Sequence, residues 1–212
     1  MEKIWGYREL FAEDAQQIDI LAYYQRRERY VNQLIKQAIK ININGYNSSF
    51  FYENPWTKIL ENKKVFVISP FVKSIKKQYE NNRENLFTDP NVFPKFAAFY
   101  TIEAVQSIAG HETPFANWFE ALYYMKAEME KYDFNIALIG CGAYAIHLAA
   151  RVKKMGKIGL HMAANTQVLF CVYGRRWIDD KRFNNIINQY WIRPNESETI
   201  TKHKEIENGA YW

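Results

Sequence analysis

Residues 134–159, FNIALIGCGAYAIHLAARVKKMGKIG, decide how this chain folds. The stretch opens on an apolar run, Ile136–Ile139, short enough for a strand buried on both faces. Gly140-Cys141-Gly142 then marks a tight turn. Ala145, Leu148, Ala149 and Val152 follow at helical spacing. Lys153 and Lys154 fall in the last turn of that helix, where cations oppose the dipole. Gly156 stands where a left-handed residue ends a helix, and a second strand is expected at once over residues 157–163. Strand, glycine turn, helix, strand is a βαβ unit, so the two strands should be parallel.

The turn matches the pattern Gly140-x-Gly142-x-x-Ala145 of a dinucleotide fingerprint with Ala in third place. Glycines there let a phosphate approach the backbone, and the N–H groups of Gly142, Ala143 and Tyr144 would hold it at a helix N-terminus. The fingerprint also wants an acid about 20 residues on, for the ribose. Residues 160–167, LHMAANTQ, contain none, which argues against NAD. Two readings stay open: a phosphate or nucleotide contact, or a turn whose glycines serve only close strand–helix packing.

Downstream, Asn165 or Thr166 could cap a short helix ending at Gly174, and Arg175-Arg176-Trp177 follows directly. Arginine forks suit phosphate, and an indole offers a stacking surface. The same tripeptide also reads as a basic surface turn. A further helix is expected over residues 181–191, and Tyr211-Trp212 should pack back onto the body.

Upstream, residues 64–69 (KVFVIS) read as a strand stopped by Pro70. A basic helix over residues 72–85 carries Lys73, Lys76, Lys77 and Arg83, its N-terminus at the carboxyl end of that strand. Residues 96–105 read as another strand. Thr113-Pro114 resembles a cap and first helical residue, ahead of an apolar stripe of Phe115, Trp118, Phe119, Leu122, Met125 and Met129 that belongs to a core. Residues 1 to about 45 read as helical, with Ile18, Leu21 and Ala22 in one patch and Val31, Leu34, Ile35 and Ala38 in another. Arg26, Arg27 and Arg29 lie between them, as a solvated face or as a strip facing anions or a membrane.

The fold expected is therefore α/β: a Rossmann-like, mainly parallel sheet flanked by helices over residues 61–212, behind a helical N-terminal segment over 1–60. The 212 residues suffice for one core, and no apolar run is long enough to cross a membrane. No secretory signal is visible, and Cys141 and Cys171 lie in apolar stretches, so the expected location is cytoplasmic. The formal charge of +5 suits anionic ligands or an acidic membrane surface, so peripheral membrane association is one expectation. The basic residues are spread and no nucleic-acid module is present, so nucleic acid is not an expected partner. Metal, P-loop and nucleophile-elbow signatures are absent. His161, near a strand's carboxyl end, is either a packing histidine or a ligand contact. The candidate site gathers Ser69, Gly142, Ala143, Tyr144, His161, Gln167, Arg175 and Arg176 at the carboxyl ends of the strands, with Tyr144 or Trp177 to stack on a base or sugar.

Four segments also carry a family resemblance: ENPWTKILENKKVFVISPF, ALIGCGAYAIHLAARVKKMGK, HMAANTQVLFCVYGRRW, and the end YWIRPNE with ENGAYW. They resemble bacterial polysaccharide-locus proteins related to GT-D-type glycosyltransferases, over roughly residues 16–212. The resemblance implies transfer of a sugar from a nucleotide sugar to a glycan acceptor. It also implies a divalent metal such as Mn, held in that family by an Asp-Gly-Glu motif. This sequence contains no such motif, so no metal ligand is assigned. The alternative reading is a non-catalytic, nucleotide- or partner-binding Rossmann-like protein.

Overall fold

The computed structural model describes residues 2–24 and 26–212, without the side chains of Glu2, Lys3, Arg26 and Arg27. Its strands form two parallel sheets. The small sheet pairs β1 (Ile20–Tyr23) with β2 (Ile39–Asn42). The main sheet holds β3 (Lys64–Ser69), β4 (Ala98–Glu103), β5 (Ile136–Ile139) and β6 (Ile158–His161). Their order across the sheet is β4-β3-β5-β6, every neighbour parallel, with Val65 opposite Ile136 and Ile136 opposite Ile158. The strand order therefore reverses between β3 and β5, and ligands of such sheets bind outside the carboxyl ends at that point.

Residues 65–68 of β3 and all of β5 are apolar because both faces are covered. Val65, Val67, Ile136 and Leu138 point into one core, and Phe66, Ile68, Ala137 and Ile139 into the other. The second core is closed by α4 (Trp118–Glu130) and α5 (Ala145–Lys154), through Leu122, Met125, Met129, Leu148 and Val152. The first is closed by α3 (Val72–Asn82) and by the chain beyond β6, including Phe170, Trp177 and Trp191. That later chain carries the short helices α6 (Asn165–Leu169) and α7 (Arg175–Ile178). Helix α1 (Glu2–Ala15) packs on the outside of α5. A five-residue helix, α2 (Ile43–Asn47), follows β2. Among the described residues, no helix is long and apolar enough to cross a membrane.

Four local expectations change. The N-terminal helix stops at Ala15, and residues 18–42 run through β1, a 3₁₀ turn and β2 rather than a continued helix. Helix α4 starts at Trp118, not Pro114, because the Asn117 side chain accepts the N–H groups of Phe119 and Glu120. Helix α6 ends at Leu169, well before Gly174, with no side-chain cap from Asn165 or Thr166. Residues 181–191 contain only a 3₁₀ turn, Lys181–Phe183, since Asp180 takes the Arg182 N–H and Asn188 the Tyr190 N–H. The expected close of the chain is present: Trp212 meets Phe71 edge-on at 5.7 Å.

Candidate functional site

The carboxyl end of β5 runs into Gly140, a 3₁₀ turn over Gly142–Tyr144, and then α5. Gly140 has a packing reason. A Cβ there would come within 2.6 Å of Thr166 Oγ1 and 2.7 Å of the Ala163 carbonyl oxygen, so the segment after β6 lies directly on it. Gly142 has a conformational one: its φ is +56° and the space beside it is open. Gly142 and Ala143 are exposed. The N–H groups of Tyr144 and Ala145 turn back to the oxygens of Cys141 and Gly142, which leaves those of Gly142 and Ala143 in the exposed part of the turn.

Across the strand-order reversal, Ser69 ends β3. It is buried, and its hydroxyl accepts the Phe71 N–H at 3.2 Å, which shapes the turn into α3. The first turn of α3 is filled from within. The Glu198 carboxylate accepts the N–H groups of Lys73 (2.6 Å) and Ser74 (3.2 Å) and the Ser74 hydroxyl (2.5 Å). Glu198 is 3% exposed and belongs to a capping box with Asn195. Sequence reading left this segment unassigned, although Asn195-Glu196-Ser197-Glu198 carries the capping-box spacing.

Several expected site residues turn out to hold the chain's last residues. Gln167 is buried, and its amide donates to the carbonyl oxygens of Val172 and Tyr211. The N–H groups of Arg175 and Arg176 donate to the main-chain oxygens of Trp212 and Ala210. A Cβ on Gly174 would lie 2.3 Å from the Tyr211 carbonyl carbon, so only glycine admits this approach. The Arg176 guanidinium pairs with Glu207 and stacks over the Tyr211 ring at 4.8 Å. Arg175 is half exposed, 3.8 Å from Asp179.

The expected stacking surfaces are corrected. Tyr144 is 5% exposed, its ring stacked on Trp118 at 5.0 Å and its hydroxyl 3.2 Å from Ser107 Oγ. Trp177 is 4% exposed within the core below α3. Neither ring face is open to a ligand. His161 is exposed at the carboxyl end of β6, and its carbonyl oxygen accepts the Tyr46 hydroxyl at 3.2 Å. Among the described residues, no group of three or more His, Cys, Asp or Glu is arranged to hold a metal ion, so the residues present do not fit the divalent cation that the resemblance implies.

The backbone around this edge is strained at two non-glycine positions that flank α6: Ala163 at φ +49° and Cys171 at φ +55°. Such conformations cost about 1–2 kcal/mol each and persist where the surroundings impose them, often at functional sites. A second buried polar cluster, away from this edge, went unread in the sequence. His147 of α5 and Asp14 of α1 are buried and 2.8 Å apart, and Lys154 approaches Asp14 at 3.3 Å. The only sequence signal was a histidine inside an apolar helix, its partner 133 residues away.

Comparison of the chain with known families, with curated proteins and with solved structures finds no match.

Proposed function

We propose that this protein binds a nucleotide sugar at the carboxyl edge of its parallel sheet and transfers the sugar to a glycan acceptor. One observation carries the reading. The exposed turn at Gly142 and Ala143 opens α5 beside the reversal of strand order between β3 and β5. A diphosphate there meets backbone N–H groups and the positive end of a helix dipole. Arg175 and Arg176, both about half exposed, are the cations this reading assigns to it, exchanging their partners Asp179 and Glu207 for the diphosphate. His161 is the candidate imidazole; desolvation of its ring holds its pKa below the usual 6.5, so the neutral ring suits a hydrogen bond to a sugar or acceptor hydroxyl. No metal step is part of this reading.

A second reading has its own support. No carboxylate belongs to the candidate set, so a chain that holds the nucleotide for a partner, without turnover, fits the same residues. A thermal-shift panel separates the readings when paired with an assay for released nucleoside diphosphate. Ligands that bind the native state raise the melting temperature by mass action. Nucleotide sugars should shift it more than NAD does, with Mn²⁺ tested in parallel. Product release in the presence of acceptor supports transfer, and a shift without release supports binding alone. No shift with any nucleotide refutes both.

A further inference from the structure

One short segment of this chain is strongly basic. Residues 20–42 hold five cations, Arg26, Arg27, Arg29, Lys36 and Lys40, against Glu28, a net of +4 within a chain total of +5. The same segment builds the two-stranded sheet of β1 and β2. Parallel sheets are normally covered on both faces. This one is not. Ile20 pairs with Ile39 and Ala22 with Ile41, so these four side chains share one face. Ile20 is 58% exposed, Ile39 66% and Ile41 38%. On the opposite face, Lys40 lies over the exposed Tyr23 ring at 5.6 Å. In the 3₁₀ turn between the strands, Arg29 stacks on Tyr30, which is 72% exposed.

We infer that this small sheet is a docking surface for an anionic phospholipid bilayer. Isoleucines exposed on one face of a thin two-stranded sheet, with lysine and tyrosine on its other face and arginine and tyrosine in the connecting turn, offer what an interface takes up at its edge: apolar side chains for the acyl boundary, amphipathic rings for the headgroups, and cations for the phosphates. The charge selects this occupant over the others. A second copy stacked on the isoleucine face would bring one +4 segment against another. A nucleic acid would answer the cations and leave the isoleucines in water. The inference is independent of the nucleotide-sugar reading, since none of these residues belongs to that site.

The test is flotation of the full chain with vesicles of phosphatidylcholine alone, or with about 30% phosphatidylserine added. The chain should float with the anionic vesicles, stay behind with the neutral ones, and be released as salt rises. Lys36→Glu with Lys40→Glu should lower the partition coefficient roughly tenfold or more, because each basic residue near such a surface contributes about fivefold. Ile39→Ser with Ile41→Ser should lower the salt-resistant part of the binding. Both pairs are exposed, and the lipid and salt comparisons use the unmodified chain, so a variant that fails to fold does not remove the test. Equal binding to both vesicles, no binding to either, or variants that float like the parent would overturn the inference. So would a dimer in ultracentrifugation that the isoleucine variant abolishes, or retention on an oligonucleotide without any vesicle binding.

Discussion

The Glu198 carboxylate accepts the Lys73 N–H at 2.6 Å, joining residues 125 apart in the chain. An anion from the chain itself thus holds the first turn of α3, and a ligand phosphate is left with the turn ahead of α5. Hydrogen bonds to a charged group contribute about 1.5–3 kcal/mol, and Glu198 makes several. Glu198→Ala should lower the unfolding free energy by about 2–3 kcal/mol. Glu198→Gln keeps one acceptor oxygen, but its NH2 would face donors that the other oxygen now serves, so it should cost about 1–2 kcal/mol, less than the alanine variant. Urea denaturation of the three proteins checks the order.

The glycines should separate by mechanism. Gly140→Ala drives a methyl into Thr166 and the Ala163 carbonyl, and overpacking of this kind costs about 1–3 kcal/mol. Gly142→Ala meets open space and strains only φ, for about 1 kcal/mol. Gly174→Ala collides with the Tyr211 backbone, and should loosen residues 207–212 before the rest. Limited proteolysis with mass analysis would show whether the new cuts fall in that segment.

Arg175→Ala with Arg176→Ala is the functional test. If two charge-assisted contacts to a diphosphate are lost, binding should weaken on the order of a hundredfold or more. The fold should change little, because the pairs with Asp179 and Glu207 are half exposed and exposed pairs contribute about 0–1 kcal/mol. Titration calorimetry with a nucleotide sugar, beside a melting curve, reads both. Unchanged affinity would remove the arginines from the site.

His147 gives a pH signature. Burial, opposed by the hydrogen bond to Asp14, holds its pKa below the usual 6.5. Between the usual value and the lower folded one, the unfolded chain binds more protons than the native one. Stability from this group is therefore complete above about pH 6.5 and is lost as pH falls through the folded value. His147→Gln should flatten that part of the curve. The informative quantity is the difference in slope between parent and variant from about pH 7 to 5, since carboxylates elsewhere change both alike.

The thiols should be inert. Cys141 and Cys171 are free and buried, and burial pushes both above the ordinary thiol range. Alkylation of the native protein should proceed only through opening, and should accelerate sharply in denaturant.

What the sequence made legible follows from where its signals were local. Residues 65–68 of β3 and 136–139 of β5 are continuous apolar runs because both faces are buried, and that pattern needs no knowledge of neighbours. Gly156, left-handed at φ +73°, marks the end of α5 by itself. Residues 18–42 failed because Ile18, Leu21 and Ala22 suit a helix or a strand equally, and the pairing of Ile20 with Ile39 that decides is nonlocal. Residues 181–191 failed for a different reason. Phe183, Ile186, Ile187 and Trp191 have helical spacing, but Asn188 spends its side chain on Tyr190, Asn85 and Leu86. At the candidate site, the glycine turn was readable from spacing. The burial of Tyr144 under Trp118 was not, because it depends on a helix from another part of the chain.

The capping of α3 by Glu198 also sets an order of assembly during synthesis. The face of the sheet under α4 and α5 can close once β6 has left the ribosome, since its buried residues all precede residue 162. The opposite face must wait for Trp177, Trp191 and the segment that carries Glu198. Until then α3 has no partner for its first turn, and Phe71, Ile75 and Phe170 lie under an unfinished cover. A nascent chain halted between those two points would present one finished layer and one apolar layer. That intermediate is the species on which chaperones would be expected to act.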